Sequence, residues 1–571
     1  MKKQIPFQMS RILFPALCIA LLLSTCSRKS LPEGVYKNGL VVSAHEIASR
    51  VGVDILKKGG NAVDAAVAVS YALAVVYPVA GNIGGGSFIV IRTPDGFATT
   101  IDCREKAPAK AARDMYLDKN GNIIPDLSTI GALASGVPGT VAGTLYALEK
   151  YGTMRPKEVI QPTIELAENG WVLDRPMGGD EFKRFSSTNA VFNKSDGSPY
   201  EIGERWVQKD LAGTLRDIAE KGRDGFYKGR VADLIVASMQ TYGGIITRED
   251  LANYEPVERP PITGTYRGYG IVSMPPPSSG GICLIELLNI LERYDIRSLG
   301  WNTAETVHLM VEAERRVYAD RNAFLADPDF VELPVSTLIS KSYADTRAKD
   351  IDPSRATPSD MVAHGNAIAF GHESEQTTHY SVIDKEGIAV SVTTTINGSY
   401  GNYLVVEGAG FLLNNEMDDF STKTGTPTHE GLVYGEANRI EPGKRMLSSM
   451  TPSIITKDGK NFFIIGSPGG ATIITTVLQC IMNVIDHGMS TQEAVEAPRF
   501  HHQWFPDQIL YEKDKDAFSE KTMDQLKSLG YTSFVPRELG NAQGILIDPE
   551  TGLYTGGPDP RRSSKNAAIG Y

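Results

Sequence analysis

The stretch that decides the fold is Glu375-Gln376-Thr377-Thr378-His379-Tyr380-Ser381, where a polar segment gives way to a strand. Residues 342–375 contain several prolines and glycines and have little periodicity, which predicts an exposed strap. Beyond the junction, residues 378–384 and 388–395 alternate in polarity around a Lys-Glu-Gly turn. That alternation predicts two paired strands. A threonine therefore stands where a strand begins.

Thr377 becomes chemically distinctive only if the chain is cut in front of it. An internal threonine hydroxyl is a poor nucleophile, because nothing nearby need accept its proton. Cleavage after Gln376 would free an α-amine with a reference pKa of about 7.7 to 8.0, against about 10.4 for lysine, which suits a base near neutral pH. The plainer interpretation is that these residues only begin a strand, where β-branched side chains are common. The pattern alone favours that plainer interpretation.

Composition and charge narrow the class of protein. The 571 residues are 42% hydrophobic and 22% charged, which is typical of a folded globular protein and excludes collagen-like, disordered and coiled-coil chains. The formal net charge is −11 and there is no long Lys/Arg run, so nucleic acid is not an expected partner. The 5 cysteines form no CxxC or Cys/His cluster, so neither a disulfide framework nor a zinc site is predicted.

The amino terminus has the pattern of a targeting signal. Lys2, Lys3 and Arg11 precede an apolar run over residues 12–23, which is short for a membrane span but suits a signal core. The run leads to Cys26 in a sequence similar to a bacterial lipoprotein cleavage box. Residues 1–26 are therefore predicted to be a signal peptide with Cys26 lipidated, in an exported protein of the periplasm or anchored to a membrane facing it. Thr25 is bulkier than the usual residue there, which leaves simple secretion or an uncleaved anchor open.

The rest of the chain mixes helices and strands without a repeat of 20 to 50 residues. Helices are predicted at residues 44–58, 61–76, 286–293, 303–324 and 471–486, with a mainly helical stretch over 139–242. Further strands are predicted at residues 87–92, 98–102, 263–274, 452–456 and 462–466. Gly84-Gly85-Gly86 lacks the preceding strand and the spacing of a dinucleotide site, which favours a tight turn. Motifs of serine hydrolases, zinc proteases and phosphate loops are absent from the sequence.

The junction and six further blocks together resemble one family. The blocks are 102–108 (DCREKAP), 136–139 (GVPG), 274–281 (MPPPSSGG), 412–420 (LLNNEMDDF), 447–452 (LSSMTP) and 466–470 (GSPGG). In this order they are similar to the signatures of the γ-glutamyltranspeptidases, which are N-terminal-nucleophile (Ntn) hydrolases that cleave themselves. The resemblance implies an α+β fold, the four-layer αββα sandwich, built jointly by a large fragment of residues 27–376 and a small fragment of residues 377–571. It also implies cleavage between Gln376 and Thr377.

The resemblance also implies roles for the pocket residues. Arg104, Ser448 and Ser449 correspond to the groups that bind the α-carboxylate of a glutamyl donor, and a guanidinium fork suits two oxygens. Asp419, with Glu416 and Asn397, corresponds to the group that binds the α-ammonium. Taken singly, these residues would be an ordinary structural arginine, a polar turn and a solvated acidic loop. Related cephalosporin acylases tend to lose the acid at the position of Asp419, so its presence favours glutamyl substrates.

The remaining roles concern the chemistry itself. Thr377 corresponds to the nucleophile and Thr395 to a second threonine that bonds to it, although in the sequence it is one more β-branched strand residue. Gly469 and Gly470 precede a helix and are expected to offer amides to an oxyanion, with a plain turn as the alternative. His379 is interpreted as structural or as an aid to maturation. Residues 421–444 are predicted to form a lid over the site.

The predicted reaction follows from these roles. Thr377 takes the γ-glutamyl group of glutathione or a related amide and passes it to water, an amino acid or a dipeptide, with no metal or organic cofactor. The two fragments are expected to form a heterodimer. Two alternatives stay open: an acylase of the same fold acting on cephalosporin- or glutaryl-type side chains, and a non-catalytic periplasmic binding protein.

Overall fold

The computed structural model describes residues 1, 31–364, 377–422, 435–562 and 565–571. The predicted signal core, Cys26 and Gln376 lie outside these residues, as do positions 423–434 of the predicted lid. Residues 34–571 form one compact unit. No helix among the described residues combines the length and apolar character needed to cross a bilayer.

The described residues form nineteen strands. In chain order they are β1 Val35–Tyr36, β2 Gly39–Ser43, β3 Gly86–Arg92, β4 Ala98–Cys103, β5 Trp171–Val172, β6 Arg205–Trp206, β7 Val257–Arg259, β8 Ile262–Tyr266, β9 Tyr269–Ser273, β10 Thr377–Asp384, β11 Ala389–Thr395, β12 Ser453–Lys457, β13 Lys460–Ile465, β14 Phe500–His501, β15 Ile509–Tyr511, β16 Phe534–Pro536, β17 Gln543–Ile547, β18 Tyr554–Pro558 and β19 Ala567–Gly570.

The described residues also form seventeen α-helices. They are α1 Glu46–Lys57, α2 Ala62–Val76, α3 Thr140–Tyr151, α4 Pro156–Asn169, α5 Ser186–Phe192, α6 Lys209–Lys221, α7 Asp224–Tyr227, α8 Gly229–Tyr242, α9 Arg248–Ala252, α10 Gly280–Leu291, α11 Ile296–Leu299, α12 Ala304–Phe324, α13 Val335–Leu338, α14 Lys341–Ala348, α15 Thr472–Ile485, α16 Thr491–Glu496 and α17 Glu520–Leu529. Most predicted helices and strands are confirmed to within a few residues.

Two large sheets organise the strands. One has the order β19-β2-β10-β11-β3-β4-β7 and the other β1-β18-β17-β13-β12-β9-β8, and neighbouring strands within both are antiparallel. Both sheets contain strands from before and after Thr377 that pair directly, since β10 pairs with β2, β11 with β3, and β12 with β9. The two predicted fragments therefore share both sheets.

The layers follow from side-chain patterning. Helix α2 begins with an Asn61–Asp64 capping box and is buried along all 15 residues, because α1 covers one side and β10 and β11 the other. The two sheets face each other across a small apolar cluster that includes Val42, Ile383 and Ile464. Helices α10, α12 and α15 pack on the outer face of the second sheet. The arrangement is helix, sheet, sheet, helix, which confirms the αββα sandwich.

The predicted exposed strap is partly wrong. Residues 341–348 form α14, whose Ser340 side chain caps the first turn and whose Ala344 and Ala348 are buried. Arg347 also reaches back to the buried Asp320 of α12 at 2.8 Å. The helix has too few apolar residues to produce a clear period, so the sequence pattern hid it. Positions 365–375 of the strap lie outside the described residues.

Candidate active site

Four neighbouring strand ends meet at one edge of the first sheet. Strand β10 begins at Thr377, which lies opposite Thr395 at the end of β11, and Thr395 lies opposite Gly86 at the start of β3. Strand β4 ends at Cys103, beside the start of β3. Antiparallel pairing thus delivers Thr377, Thr395 and the segment that starts at Arg104 to the same edge.

The facing sheet presents three strand ends of its own. Ser453 begins β12 and pairs with Ser273 at the end of β9 and with Ile465 at the end of β13. The loops that carry residues 274–281, 448–452 and 466–471 therefore leave or enter the sheet together. A Cβ added to Gly466 would approach the ring of His379 to 2.3 Å, so this edge packs tightly against β10. The site lies where the two edges meet.

The side chain of Thr377 points between the two sheets. Alternation places it on the same face of β10 as Ser381, whose hydroxyl donates to the carbonyl of Gln543 in the facing sheet at 2.9 Å. The Thr377 hydroxyl donates to Thr395 Oγ1 at 3.5 Å, and Thr395 Oγ1 also accepts the N–H of Asn397 at 2.8 Å. The structure thus places together the two threonines that the family resemblance pairs.

A buried asparagine fixes the end of β11. Asn82 donates to the carbonyl of Thr395 at 2.8 Å and accepts from the N–H of Gly85 at 2.8 Å. A Cβ at Gly85 would come within 2.1 Å of that same carbonyl, so the glycine run is a close-packed turn, as the sequence favoured. Asn82 was missed, because an isolated asparagine gives no signal. Asn397 follows with φ +70°, a left-handed conformation that asparagine tolerates.

Arg104 is the centre of the predicted substrate-binding cluster. Its side chain is 1% exposed, and its guanidinium pairs with the carboxylates of both Glu416 and Asp419. It also donates to the carbonyl of Met446 at 3.2 Å and to that of Leu447 at 2.9 Å, directly before Ser448. The predicted carboxylate-binding and ammonium-binding groups are therefore in direct contact with each other.

Glu105 adds a third buried carboxyl group beside Arg104. Its Oε2 lies 3.8 Å from Arg104 Nη1. Burial raises the pKa of Glu105 to about 8, although the charge of Arg104 opposes that rise. Glu105 is therefore mostly uncharged near pH 7. The charge of Arg104 is left for Glu416 and Asp419.

Two further asparagines hold the acidic segment in place. Asn414 accepts from the N–H of Gly136 at 2.9 Å and from that of Glu416 at 3.0 Å. Asn438 donates to the carbonyl of Asp419 at 2.7 Å and accepts from the N–H of Leu447 at 3.0 Å. Asn414 lay within a recognised block, but neither residue was assigned a role from the sequence.

The two serines each keep a hydroxyl hydrogen to donate. Ser448 Oγ accepts the N–H of Met450 at 3.1 Å, and Ser449 Oγ accepts from Arg321 at 2.9 Å. No described residue accepts a hydrogen bond from either hydroxyl. The pair can therefore offer two O–H groups to an anion.

Gly469 and Gly470 lie at the same edge, before the 14-residue helix α15. Their φ angles are +136° and +56°, in the region that favours glycine. Within the described part of the chain, neither N–H donates to a partner. No hydrogen bond joins these glycines to Thr377 among the described residues. Close packing of Gly466 against His379 is one of the contacts that join the two edges.

His379 is unsuited to act as the base. Its ring nitrogens bond to Thr393 Oγ1 at 2.9 Å and to Ser381 Oγ at 3.1 Å. Burial lowers the pKa of its imidazole to about 3. It is neutral at physiological pH and joins strands around the site, which supports a structural interpretation. The described residues contain no group of three or more His, Cys, Asp or Glu placed to hold a metal.

The predicted lid is described only at its base. Ser421 donates to the carbonyl of Gly435 at 2.7 Å through its hydroxyl, and its N–H donates to the carbonyl of Asn438 at 2.9 Å. The two ends of the loop are thus held together beside Asp419. Closure over the site stays a prediction.

Comparison with known proteins gives a consistent picture. The chain is 50% identical over 543 residues to the glutathione hydrolase proenzyme of Escherichia coli (strain K12), which covers 94% of this chain and 92% of the relative. The crystal structure of cephalosporin acylase from Bacillus halodurans superposes with a TM-score of 0.82 at 28% identity, covering 95% of this chain and 98% of that chain. One chain of the Helicobacter pylori gamma-glutamyltranspeptidase crystal structure matches at 47% identity and a TM-score of 0.56, over 58% of this chain and 96% of its own.

The family model gives the broadest match. The model described as gamma-glutamyltranspeptidase covers residues 48–569, which include all the blocks and the whole candidate site. Together with the sandwich of paired sheets and the threonine pair at its edge, this assigns the family: the chain belongs to the gamma-glutamyltranspeptidases.

Proposed function

We propose that this protein is a self-cleaving γ-glutamyl hydrolase and transpeptidase that uses Thr377 as its nucleophile. The observation that carries the proposal is the position of Thr377, which is the first residue of a buried strand and whose hydroxyl donates a hydrogen bond to Thr395. A pocket of one cation and two carboxylates lies at the same edge.

Maturation creates the catalyst. Thr377 Oγ attacks the carbonyl carbon of Gln376, and the bond from that carbon to the backbone nitrogen of Thr377 breaks. The nitrogen takes up the hydroxyl proton and becomes the α-amine, so the amide becomes an ester. Water then hydrolyses the ester, which leaves a carboxylate on Gln376 and restores the Thr377 hydroxyl. Residues 27–376 and 377–571 stay associated because strands of the two pieces pair with each other in both sheets. The solved Helicobacter pylori chain, which spans 58% of this one, supports a large fragment of this size.

The pocket suits a zwitterionic head group. A γ-glutamyl donor brings one α-carboxylate and one α-ammonium, so it can exchange partners with the existing ion pairs without adding net buried charge. Its carboxylate binds to Arg104 and to the hydroxyls of Ser448 and Ser449. Its ammonium takes Asp419 and Glu416, with the side-chain carbonyl of Asn397 as a further acceptor. A glutaryl group carries only the negative charge and would leave a carboxylate without a partner.

Acyl transfer repeats the chemistry on the substrate. The free α-amine of Thr377 accepts the hydroxyl proton as Oγ attacks the γ-amide carbon of glutathione or a related amide. The amides of Gly469 and Gly470 are the proposed donors to the oxyanion. The C–N bond breaks, and cysteinylglycine or another amine leaves with the proton. Water then yields glutamate, or an amino acid or dipeptide takes the γ-glutamyl group.

An acylase of the same fold is the second candidate function. It is favoured by the 0.82 TM-score to the Bacillus halodurans cephalosporin acylase. The carboxylate of Asp419 against Arg104 speaks for glutamyl donors instead, because it supplies the charge that an α-ammonium needs. A non-catalytic binding protein would never be cut and would stay a single chain on a denaturing gel.

A donor panel with Asp419→Asn tests the substrate class. The unmodified enzyme is expected to hydrolyse γ-glutamyl-p-nitroanilide with a kcat/KM about a hundredfold above that for glutaryl-p-nitroanilide. Asp419→Asn should narrow this ratio to within about threefold. The substitution removes the negative charge that holds the ammonium of the glutamyl donor and that repels the glutaryl donor, whose carboxylate has no ammonium beside it.

Asp418→Asn is the matched control for that panel. Asp418 is the neighbouring acid, but its carboxylate accepts from the hydroxyl of Ser128 at 2.5 Å. This control should keep the ratio of the unmodified enzyme. A glutaryl rate equal to or above the glutamyl rate in the unmodified enzyme would contradict the proposed donor and favour the acylase.

We also propose that the protein is exported and carries lipid on Cys26, on the strength of the apolar run over residues 12–23 that leads to this cysteine. Cells grown with labelled palmitate are expected to label the large fragment, which would then begin at Cys26 instead of residue 27, and Cys26→Ala should abolish the label while the cut before Thr377 still occurs. Absence of label from the unmodified protein would leave simple secretion or an uncleaved anchor instead.

A further inference from the structure

Arg321 lies behind the candidate pocket and has no role in the scheme above. It belongs to α12 and is buried, with 1% of its side chain exposed. Its Nη2 donates to Ser449 Oγ at 2.9 Å, its Nε to Ser279 Oγ at 2.9 Å, and its Nη1 to Asn322 Oδ1 at 3.2 Å. One planar group therefore holds side chains from three segments.

The contact with Ser449 fixes which way its hydroxyl points. A guanidinium has donors and no acceptor, so Ser449 Oγ must accept from Arg321. The hydroxyl hydrogen is then directed elsewhere, and no described residue receives it. Arg321 thus makes Ser449 an oriented hydrogen-bond donor. It also places a positive charge next to Ser449, close to any anion that the Ser449 hydroxyl binds.

Ser279 extends the same effect to Ser448. Its Oγ accepts from Arg321 and donates to the carbonyl of Ser448 at 2.8 Å, while its own N–H donates to that carbonyl at 2.7 Å. A Cβ at Gly280 would lie 2.3 Å from Thr451 Oγ1, so this loop packs closely against the segment that carries the two serines. The Ser-Ser-Gly-Gly part of the 274–281 block therefore has a physical task.

We propose that Arg321 and Ser279 are positioning residues that hold Ser448 and Ser449 as paired hydroxyl donors for the α-carboxylate of the donor substrate. The inference rests on the proposed function and deepens it, since it names the residues through which the carboxylate end is selected. Arg321 and Ser279 precede Thr377 in the chain and the two serines follow it, so the proposed large fragment orders a binding element of the small one.

Three donors separate this role from a structural one. γ-Glutamyl-p-nitroanilide has both the α-carboxylate and the α-ammonium, the glutaryl compound keeps only the carboxylate, and the 4-aminobutyryl compound keeps only the ammonium. Arg321→Lys cannot bridge Ser449 and Ser279 with one planar fork. It should raise KM by about tenfold or more for the first two donors, with kcat changed by less than about threefold, and leave kcat/KM for the 4-aminobutyryl donor unchanged. Ser279→Ala should show the same selectivity with a smaller rise.

Arg316→Lys serves as the matched control. Arg316 is another buried arginine of α12, but it bonds to Glu312 at 2.7 Å and to Asp350 at 3.1 Å, and among the described residues it makes no hydrogen bond to the two serines. Its KM values for all three donors should match those of the unmodified enzyme. If either test variant is not cut, its binding of L-glutamate and of 4-aminobutyrate is measured by calorimetry instead. Weakened binding of L-glutamate, with binding of 4-aminobutyrate unchanged, supports the role.

An equal loss on all three donors, or no change in KM for the donors with a carboxylate, would overturn the inference. This failure is distinct from failure of the proposed function. If the proposed function were wrong, the unmodified enzyme itself would show no preference for the γ-glutamyl donor.

Discussion

Thr377→Ala is expected to leave the chain uncut and to abolish turnover of γ-glutamyl-p-nitroanilide, with a loss of about a millionfold in kcat. The reason is that one atom serves both reactions: Thr377 Oγ attacks the Gln376 carbonyl during maturation and the donor amide afterwards. Alanine has no nucleophile, and the uncut chain has no free amine to act as the base. A denaturing gel reads the first loss and an anilide assay the second.

Two companion variants sharpen that experiment. Thr377→Ser keeps an Oγ and should still be cut and active. Thr378→Ala is the matched control, because Thr378 is also buried but lies on the opposite face of β10, and its hydroxyl has no hydrogen-bond partner among the described residues. It should be cut and active. Separation of Thr377→Ala into the two fragments, or amino-terminal sequencing of the unmodified small fragment that does not begin Thr-Thr-His-Tyr-Ser, would refute the nucleophile.

Replacement of Arg104 is expected to have the second-largest effect. Arg104→Met leaves the buried carboxylates of Glu416 and Asp419 without their cation, which should lower the free energy of unfolding by about 3 to 5 kcal/mol. Arg104→Lys keeps the charge but loses the fork that reaches both acids and the carbonyl of Leu447. It should retain the fold and lose about a hundredfold in kcat/KM for the γ-glutamyl donor.

Urea unfolding and steady-state kinetics measure these two effects separately. Arg259→Lys is a suitable control, since Arg259 pairs with Asp102 at 3.0 Å and with Asp329 at 2.7 Å instead of with Glu416 or Asp419. It should keep kcat/KM within about threefold of the unmodified enzyme. Unchanged stability in Arg104→Met together with unchanged kcat/KM in Arg104→Lys would show that Arg104 does not organise the pocket.

The sequence predicted the local features of this protein well. Alternation at residues 378–384 and 388–395 located β10 and β11 to within one residue, because side-chain periodicity and turn chemistry are encoded over a few neighbours. The ordered blocks predicted the family and the αββα sandwich. The same local logic failed at α14, where the helix has only a narrow buried face and depends on a distant contact to Asp320.

What only the tertiary structure decided is how distant segments act on one another. Arg104 lies 312 residues from Glu416 and 315 from Asp419, and their mutual pairing arises because strand ends from separate parts of the chain converge at one edge. The raised pKa of Glu105, the lowered pKa of His379 and the donor role that Arg321 imposes on Ser449 likewise depend on burial and on neighbours far away in the sequence. Sequence determined which residues are the candidates for the chemistry. Packing determined their charge state and direction, because electrostatic and hydrogen-bond energies depend on distances in space.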